Sequence, residues 1–287
     1  FRIFIFLCLS GALFSCKKDK TDPVAPKYDP AIQTDLVDVA YGDHTRNKYN
    51  IYLPANRGAG TPVLFIIHGG AWVAGSKEDI ISFVPALRSL LPQYAFVFIN
   101  YRLFNESESG TRFPAQENDV KACIEHVFNR SGEYVVGKKF ALWGMSAGAH
   151  LAALYAYKYQ GNPYTASAVI DQVGPTDMLS LYDQLPSAEL KGLLVQLIGN
   201  PATQDSLLYN SSSPLRYVKA TSCPTLILHG DADAVVPYQQ AELLKNKLQQ
   251  LNVPYRYRLY PGEGHGLDGV TLDAVNEIVA FLTTHVK

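Results

Sequence analysis

The sequence has no surplus of either charge. Its 25 Lys and Arg residues face 26 Asp and Glu, for a formal net charge of −1. A nucleic-acid partner needs a basic stripe and a cationic partner an acidic tail, and neither is present. Cysteine is scarce as well: four residues, at positions 8, 16, 123 and 223, with no spacing that suggests a metal site. The apolar run from Ile3 to Phe14 falls short of the ~20 residues that a spanning helix needs. Beyond residue 31 there is no low-complexity linker and no internal repeat. What remains is a chain of 287 residues, 47% hydrophobic and 18% charged, which suits one large domain with a substantial core. Its 18 tyrosines are numerous enough to serve either as core filler or as platforms for sugars and aromatic groups.

The N-terminal run reads as the apolar region of a secretion signal whose basic start is represented by Arg2. Leu13-Phe14-Ser15-Cys16 resembles a bacterial lipoprotein box, in which a small residue precedes the cysteine that is lipidated. The expectation is a signal peptide over 1–15, a lipid-anchored Cys16 and export across the inner membrane, the anchor being the one membrane contact. A plain secretion signal cleaved nearby is the alternative. Residues 16–31, rich in Lys, Asp and Pro, read as a tether. Cys123 and Cys223 read as two separate buried thiols, although an oxidising compartment would also permit a bond between them.

From residue 32 onward strands and helices alternate. Asp35 to Ala40 and Lys48 to Leu53 alternate polar and apolar residues and can pair as a hairpin. Val63 to Ile67, Ala95 to Ile99, Phe140 to Trp143, Val169 to Val173 and Thr225 to Leu228 are short apolar runs of the kind buried on both faces, and Tyr255 to Leu259 is a further strand. Helical spacing predicts helices over Ile80 to Leu91, Ala115 to Phe128, Ala147 to Tyr159, Ala241 to Leu251 and Leu272 to His285. This rhythm predicts an α/β fold, with a mostly parallel sheet covered by helices on both faces. Residues 178–218 break it, with a helical piece near Glu189 to Leu197, and read as a small cap inserted over the sheet edge.

Four loops that follow predicted strands carry the candidate chemistry. Gly144-Met145-Ser146-Ala147-Gly148 fits G-x-S-x-G between a buried strand and a helix start. Such a turn lifts the serine hydroxyl above the sheet, with glycines on either side allowing strand and helix to approach. A serine needs a base. Of seven histidines, His265 in Gly264-His265-Gly266 lies in the loop between the last strand and the last helix, where an imidazole can reach the sheet edge. His44 sits in a polar turn, His126 on a helix, His285 at the terminus, and His150 one helical turn past Ser146, packed beneath it. The imidazole needs a carboxylate to fix its tautomer. His229-Gly230-Asp231-Ala232-Asp233 offers two, of which Asp233 is favoured because the chain has had room to turn, with Asp231 bracing the loop. His68-Gly69-Gly70-Ala71-Trp72 follows Val63 to Ile67, and the amides of Gly70 and Ala71, with that of Ala147, are candidate donors to a developing oxyanion. Trp72 and Tyr101 are candidate substrate contacts.

Together with Asn100-Tyr101-Arg102-Leu103, Phe113-Pro114-Ala115-Gln116, Asp119, Val236-Pro237 and Ser213-Pro214-Leu215, these motifs resemble the acetyl-esterase group of the α/β-hydrolase fold. That group includes hormone-sensitive-lipase-like esterases and the bifunctional feruloyl and acetyl xylan esterases. The match runs in consistent order from about Val39 to the C-terminus. Ala71 departs from it, standing where a third glycine is frequent, but only its N–H is needed. The resemblance implies hydrolysis of short-chain or carbohydrate-linked esters through an acyl-serine, with no metal and no cofactor. A peptidase of the prolyl-oligopeptidase type shares the order Ser, Asp, His. A catalytically silent carbohydrate-binding lipoprotein is the non-enzyme alternative, although such proteins usually lose one of the three residues.

Overall fold

A computed structural model describes residues 26–161, 163–185 and 187–286. The expected signal peptide, Cys16 and most of the tether lie outside these residues. Eight strands form one sheet in the order β1-β2-β4-β3-β5-β6-β7-β8. They are β1 (Thr34–Ala40), β2 (Lys48–Leu53), β3 (Val63–Ile67), β4 (Ala95–Ile99), β5 (Phe140–Met145), β6 (Ala168–Gln172), β7 (Thr225–Gly230) and β8 (Tyr255–Tyr260). β1 and β2 pair antiparallel, as do β2 and β4, and every pairing beyond them is parallel. All eight expected strands form, and the architecture is the α/β-hydrolase fold.

The helices are α1 (Val84–Leu90), α2 (Ala115–Asn129), α3 (Ser131–Tyr134), α4 (Ala147–Lys158), α5 (Met178–Gln184), α6 (Ala188–Ile198), α7 (Ser206–Ser211), α8 (Gln239–Gln250) and α9 (Thr271–His285). Strand alternation sends β3 side chains to two cores. Val63, Phe65 and Ile67 pack with Val120, Ile124 and Val127 of α2 and Leu244 and Leu248 of α8. Leu64 and Ile66 pack on the opposite face with Val84 and Leu87 of α1 and Ile278 and Phe281 of α9. Continuous apolar strands are the consequence of burial on both faces.

Two boundaries differ from the sequence expectation. The helix expected from Ile80 is replaced by 3-10 turns at Lys77–Asp79 and Ile81–Phe83, and α1 begins only at Val84. Pro85 is the cause: it has no N–H to bond back to the preceding turn, so it is accommodated only in a first turn. The folded body also starts before residue 32. Tyr28 stacks on Tyr134 at 6.0 Å, and its carbonyl accepts from Arg57 Nη2 at 3.0 Å. Residues 26–31 are therefore anchored by an arginine and an aromatic pair that local composition did not reveal.

The segment between β6 and β7 carries α5, α6 and α7. Asp177, Ser187 and Asp205 cap their N-termini through side-chain oxygens, and Gly199 ends α6 at φ 113°. The caps start three short helices, and Gly199 stops one of them, so the segment can fold back over the sheet edge.

Candidate active site

β3 is flanked by β4 on one side and by β5 on the other, so the direction of winding reverses between β3 and β5. A crevice opens at the carboxyl ends of strands at such a reversal. The loops after β3 and β5 both enter it.

Ser146 follows β5 and caps α4 with φ 54° and ψ −120°, backbone that a side chain rarely adopts. Its N–H donates to the Gln172 carbonyl at 2.9 Å, tying the turn to the end of β6. The neighbouring glycines are obligatory. A Cβ on Gly144 would lie 2.1 Å from the Gly148 carbonyl oxygen, and one on Gly148 would lie 2.2 Å from that of Ile67.

The structure brings the three expected residues together. His265 Nε2 lies 2.9 Å from Ser146 Oγ, and His265 Nδ1 lies 2.7 Å from Asp233 Oδ2. With a carboxylate at Nδ1, that nitrogen carries the proton and Nε2 accepts from the serine hydroxyl. Burial alone would raise the Asp233 carboxyl, but hydrogen bonds from His229, His265 and the Val236 N–H outweigh it and hold it well below the usual carboxylate range. Asp233 Oδ1 accepts from the N–H groups of Val235 and Val236 at 2.8 and 2.9 Å. Asp231 is exposed and points elsewhere, its Oδ1 accepting from Gly262 N–H at 2.7 Å and bracing the loop that carries His265.

His229 completes this cluster, and the sequence reading assigned it no role. It is fully buried, with Nε2 2.9 Å from the Val236 carbonyl and 3.2 Å from Asp233 Oδ2. A carbonyl only accepts, so Nε2 carries a proton shared with the carboxylate. The sequence signals only that it is buried: a histidine directly after the apolar run Leu226-Ile227-Leu228 must find a buried partner, whose identity the packing of the loops decides. On the same sheet face, diagonal to His229, lies Asp171 of β6. Burial raises its carboxyl to about 6, against the opposing effects of His229 and the Gly174 N–H. Asp171 Oδ2 and His229 Nδ1 are both buried without a hydrogen-bond partner.

Beside Ser146 runs the loop after β3. Gly70 takes φ 108°, and a Cβ there would lie 2.2 Å from the Ala74 carbonyl oxygen. Its own carbonyl accepts from Val73 and Ala74 N–H at 3.0 and 2.9 Å. In a trans peptide the N–H of Ala71 then points the opposite way, out of this turn. Ala71 and Ala147 both border the cavity at Ser146, and Ala147 opens α4, where backbone N–H groups have no helical acceptor. Gly70 stands one residue further back, in the open cleft. Donors in these places can face a negative oxygen on a carbon attached to Ser146.

A clamp holds that loop. His68 Nδ1–H donates to the Gly69 carbonyl at 2.7 Å, and the ring stacks on Tyr101 at 4.4 Å. Burial lowers His68 to about 4, so it stays neutral. Arg46 donates to the carbonyls of Tyr101 and Gly75 at 2.9 and 2.7 Å. Arg102 grips Asp119 with two nitrogens, joining the loop after β4 to α2.

Trp72, with φ 63°, forms part of the cavity wall, but its Nε1 is buried without a partner and the ring stands edge-on to His150 at 5.1 Å. His150 packs beneath Ser146, as expected, and donates from Nε2 to the Ser212 carbonyl at 2.7 Å. Tyr101 corrects the sequence expectation. Its side chain is fully buried, and its hydroxyl donates to the His68 carbonyl at 3.1 Å, so it supports the loop from beneath and touches no substrate. Its place in the chain, just past a strand end, gave no indication of which side of the loop it would occupy. Cys123 and Cys223 are separate buried thiols.

Known proteins are similar to this chain in sequence and fold. The chain is 31% identical over 247 residues to "Probable carboxylic ester hydrolase LipM" of Mycobacterium tuberculosis, covering 80% of this chain and 56% of that protein. It is 25% identical over 259 residues to a "Probable isoprenylcysteine alpha-carbonyl methylesterase" of Arabidopsis thaliana, covering 83% of this chain and 52% of that protein. The chain thus spans about half the length of the curated relatives it matches. A solved structure described as a truncated form of carbohydrate esterase from gut microbiota superposes with a TM-score of 0.77 at 25% identity, covering 91% of this chain and 99% of that one. Residues 49–248, which hold β3 to β7 with most of β2, Ser146 and Asp233, match the BD-FAE family, and the chain belongs to that family.

Proposed function

We propose that the protein is a serine carboxylesterase acting on short-chain or carbohydrate-linked acyl esters through an acyl-Ser146 intermediate. The observation that carries this reading is the continuous series of contacts from Ser146 Oγ to His265 at 2.9 Å and from His265 to Asp233 at 2.7 Å. The carboxylic ester hydrolase and carbohydrate esterase similar to this chain support it.

The chemistry follows from the geometry. His265 Nε2 takes the Ser146 proton as Oγ bonds to the ester carbon, and Asp233 stabilises the imidazolium. The carbonyl oxygen, now negative, meets the N–H groups of Ala71 and Ala147, each such donor typically contributing about 10²–10³ in rate. The tetrahedral centre collapses, the bond to the alcohol oxygen breaks, and His265 returns the proton to the leaving alcohol. Water then attacks the acyl-serine with His265 again as base, releasing the acid and restoring Ser146.

We propose in addition that Cys16 is lipidated and tethers an exported enzyme to a bacterial membrane. Cys16→Ser would then move the protein from the membrane to the soluble fraction.

Assaying p-nitrophenyl acetate beside an aminoacyl-proline amide tests the reaction class. Ester hydrolysis is expected to dominate and to vanish in Ser146→Ala with the circular dichroism spectrum unchanged. Dominant amidase activity would replace the esterase with the peptidase, and full activity in Ser146→Ala would remove Ser146 from the mechanism.

A further inference from the structure

Two spaces meet at Ser146, and they differ in chemistry. One is a pocket, about 460 Å³ with the solvent at its mouth included, bordered by Ala71, Trp72, Ser146 and Ala147. Its far wall is Leu181 and Leu185 of the α5 region and Leu190, Leu193, Leu194 and Leu197 of α6. The other is a cleft of about 970 Å³ that includes His265, Gln172, Gly70 and Val73. His265 borders the cleft and is absent from the lining of the leucine-walled cavity.

That asymmetry decides which half of an ester goes where. The departing alcohol oxygen must receive a proton from His265 Nε2, so the alcohol lies on the His265 side, in the cleft. The acyl group stays bonded to Ser146 and extends the other way, into the leucine wall. A hydroxyl placed there would find no side-chain partner except Ser146, because the Trp72 Nε1 is buried behind the wall. The cleft, in contrast, offers Gln172, whose Oε1 accepts from Trp143 Nε1 at 3.0 Å, leaving its Nε2 to donate.

Resting on the esterase reading, we infer that the leucine-walled cavity is the acyl site and takes an aliphatic acyl chain longer than acetyl, while polar alcohols, sugars included, occupy the cleft. The single methyl of an acetyl group cannot reach all six leucines of that wall. A feruloyl ring would bring a phenol and a methoxy oxygen to a wall with no partner for either.

Ethyl butyrate and butyl acetate are isomers, with equal size and polarity, that differ in which half is long. Each methylene buried on the acyl side raises kcat/KM about fourfold. Ethyl butyrate is therefore expected to exceed butyl acetate by about tenfold, measured by titrating released acid. Leu193→Phe and Leu190→Phe, at half-buried positions, fill the cavity and are expected to reduce that ratio about fivefold or more. Equal rates, or a preference for butyl acetate, overturn the assignment while leaving the esterase reading intact. Methyl ferulate cleaved faster than ethyl butyrate overturns it too. If p-nitrophenyl acetate and both isomers all survive, the esterase reading itself fails. The wild-type comparison decides even if neither variant folds.

Discussion

His229 and His265 meet at one atom, Asp233 Oδ2, at 3.2 and 2.7 Å respectively. The carboxylate that contacts His265 is thus itself held from behind by a fully buried imidazole. Only its front contact faces Ser146.

His229→Ala is expected to lower kcat by about ten- to a hundredfold, the equivalent of losing one hydrogen bond to a charged group of about 1.5–3 kcal/mol. KM should change little, because His229 borders neither space at Ser146. Gln places a donor near the position of Nε2, so His229→Gln should recover part of the loss. Steady-state kinetics with p-nitrophenyl esters separate this positioning role from a general loss of folding. A fall in stability with kcat preserved in the folded fraction would argue against it.

Asp233→Asn is expected to cost about 10⁴ in kcat, because an amide can stabilise the wrong His265 tautomer and no imidazolium. Asp231→Asn should cost at most a few-fold, since an amide oxygen can still accept from Gly262 N–H. The same ester assay on both variants checks the ranking.

Gly148→Ala is expected to destabilise the protein by about 3 kcal/mol or more, because backbone would have to move to relieve the contact with the Ile67 carbonyl oxygen. Gly192→Ala, in a helix with nothing within 4 Å of its Cβ position, should be neutral or stabilising. Urea midpoints of the two variants provide the comparison.

Acid and base act on stability through different groups. Asp171 is raised from 3.8 to about 6, so the folded state holds a proton that the unfolded chain has released. Stability from this group is therefore greatest below about pH 4 and declines as pH rises through about 6, by at most about 3 kcal/mol. Asp233 works in the opposite sense. Its folded value is depressed, so its contribution is present above pH 4 and is lost as pH falls through the folded value. Asp171→Asn should flatten the fall in Tm between pH 4 and pH 6 while leaving the loss at lower pH. An unchanged slope would assign that window to other groups.

The strand and helix order, the elbow at Ser146, the preference for Asp233 over Asp231 and the choice of His265 were all legible in the sequence. Each rests on local physics: apolar runs that must be buried on both faces, glycines where backbone crosses backbone, and a loop histidine placed just past a strand. Tyr101 and His229 were not legible in the same way. Both stand at the end of a buried strand, in similar company. Only the packed loops determine that the tyrosine hydroxyl bonds the His68 carbonyl from below while the imidazole reaches Asp233. The leucines of α6 show the same limit. Their helical spacing predicts an apolar face, but that face could have met the sheet or a neighbouring helix. Its position beside Ser146 comes from the fold-back of the segment between β6 and β7, a contact between residues far apart in the chain. By itself, then, the sequence determined the fold and which residues gather at the carboxyl ends of the strands, because these follow from neighbours along the chain. Tertiary structure decided what supports the carboxylate and which side chains line the pocket at Ser146, because those depend on which distant surfaces pack together.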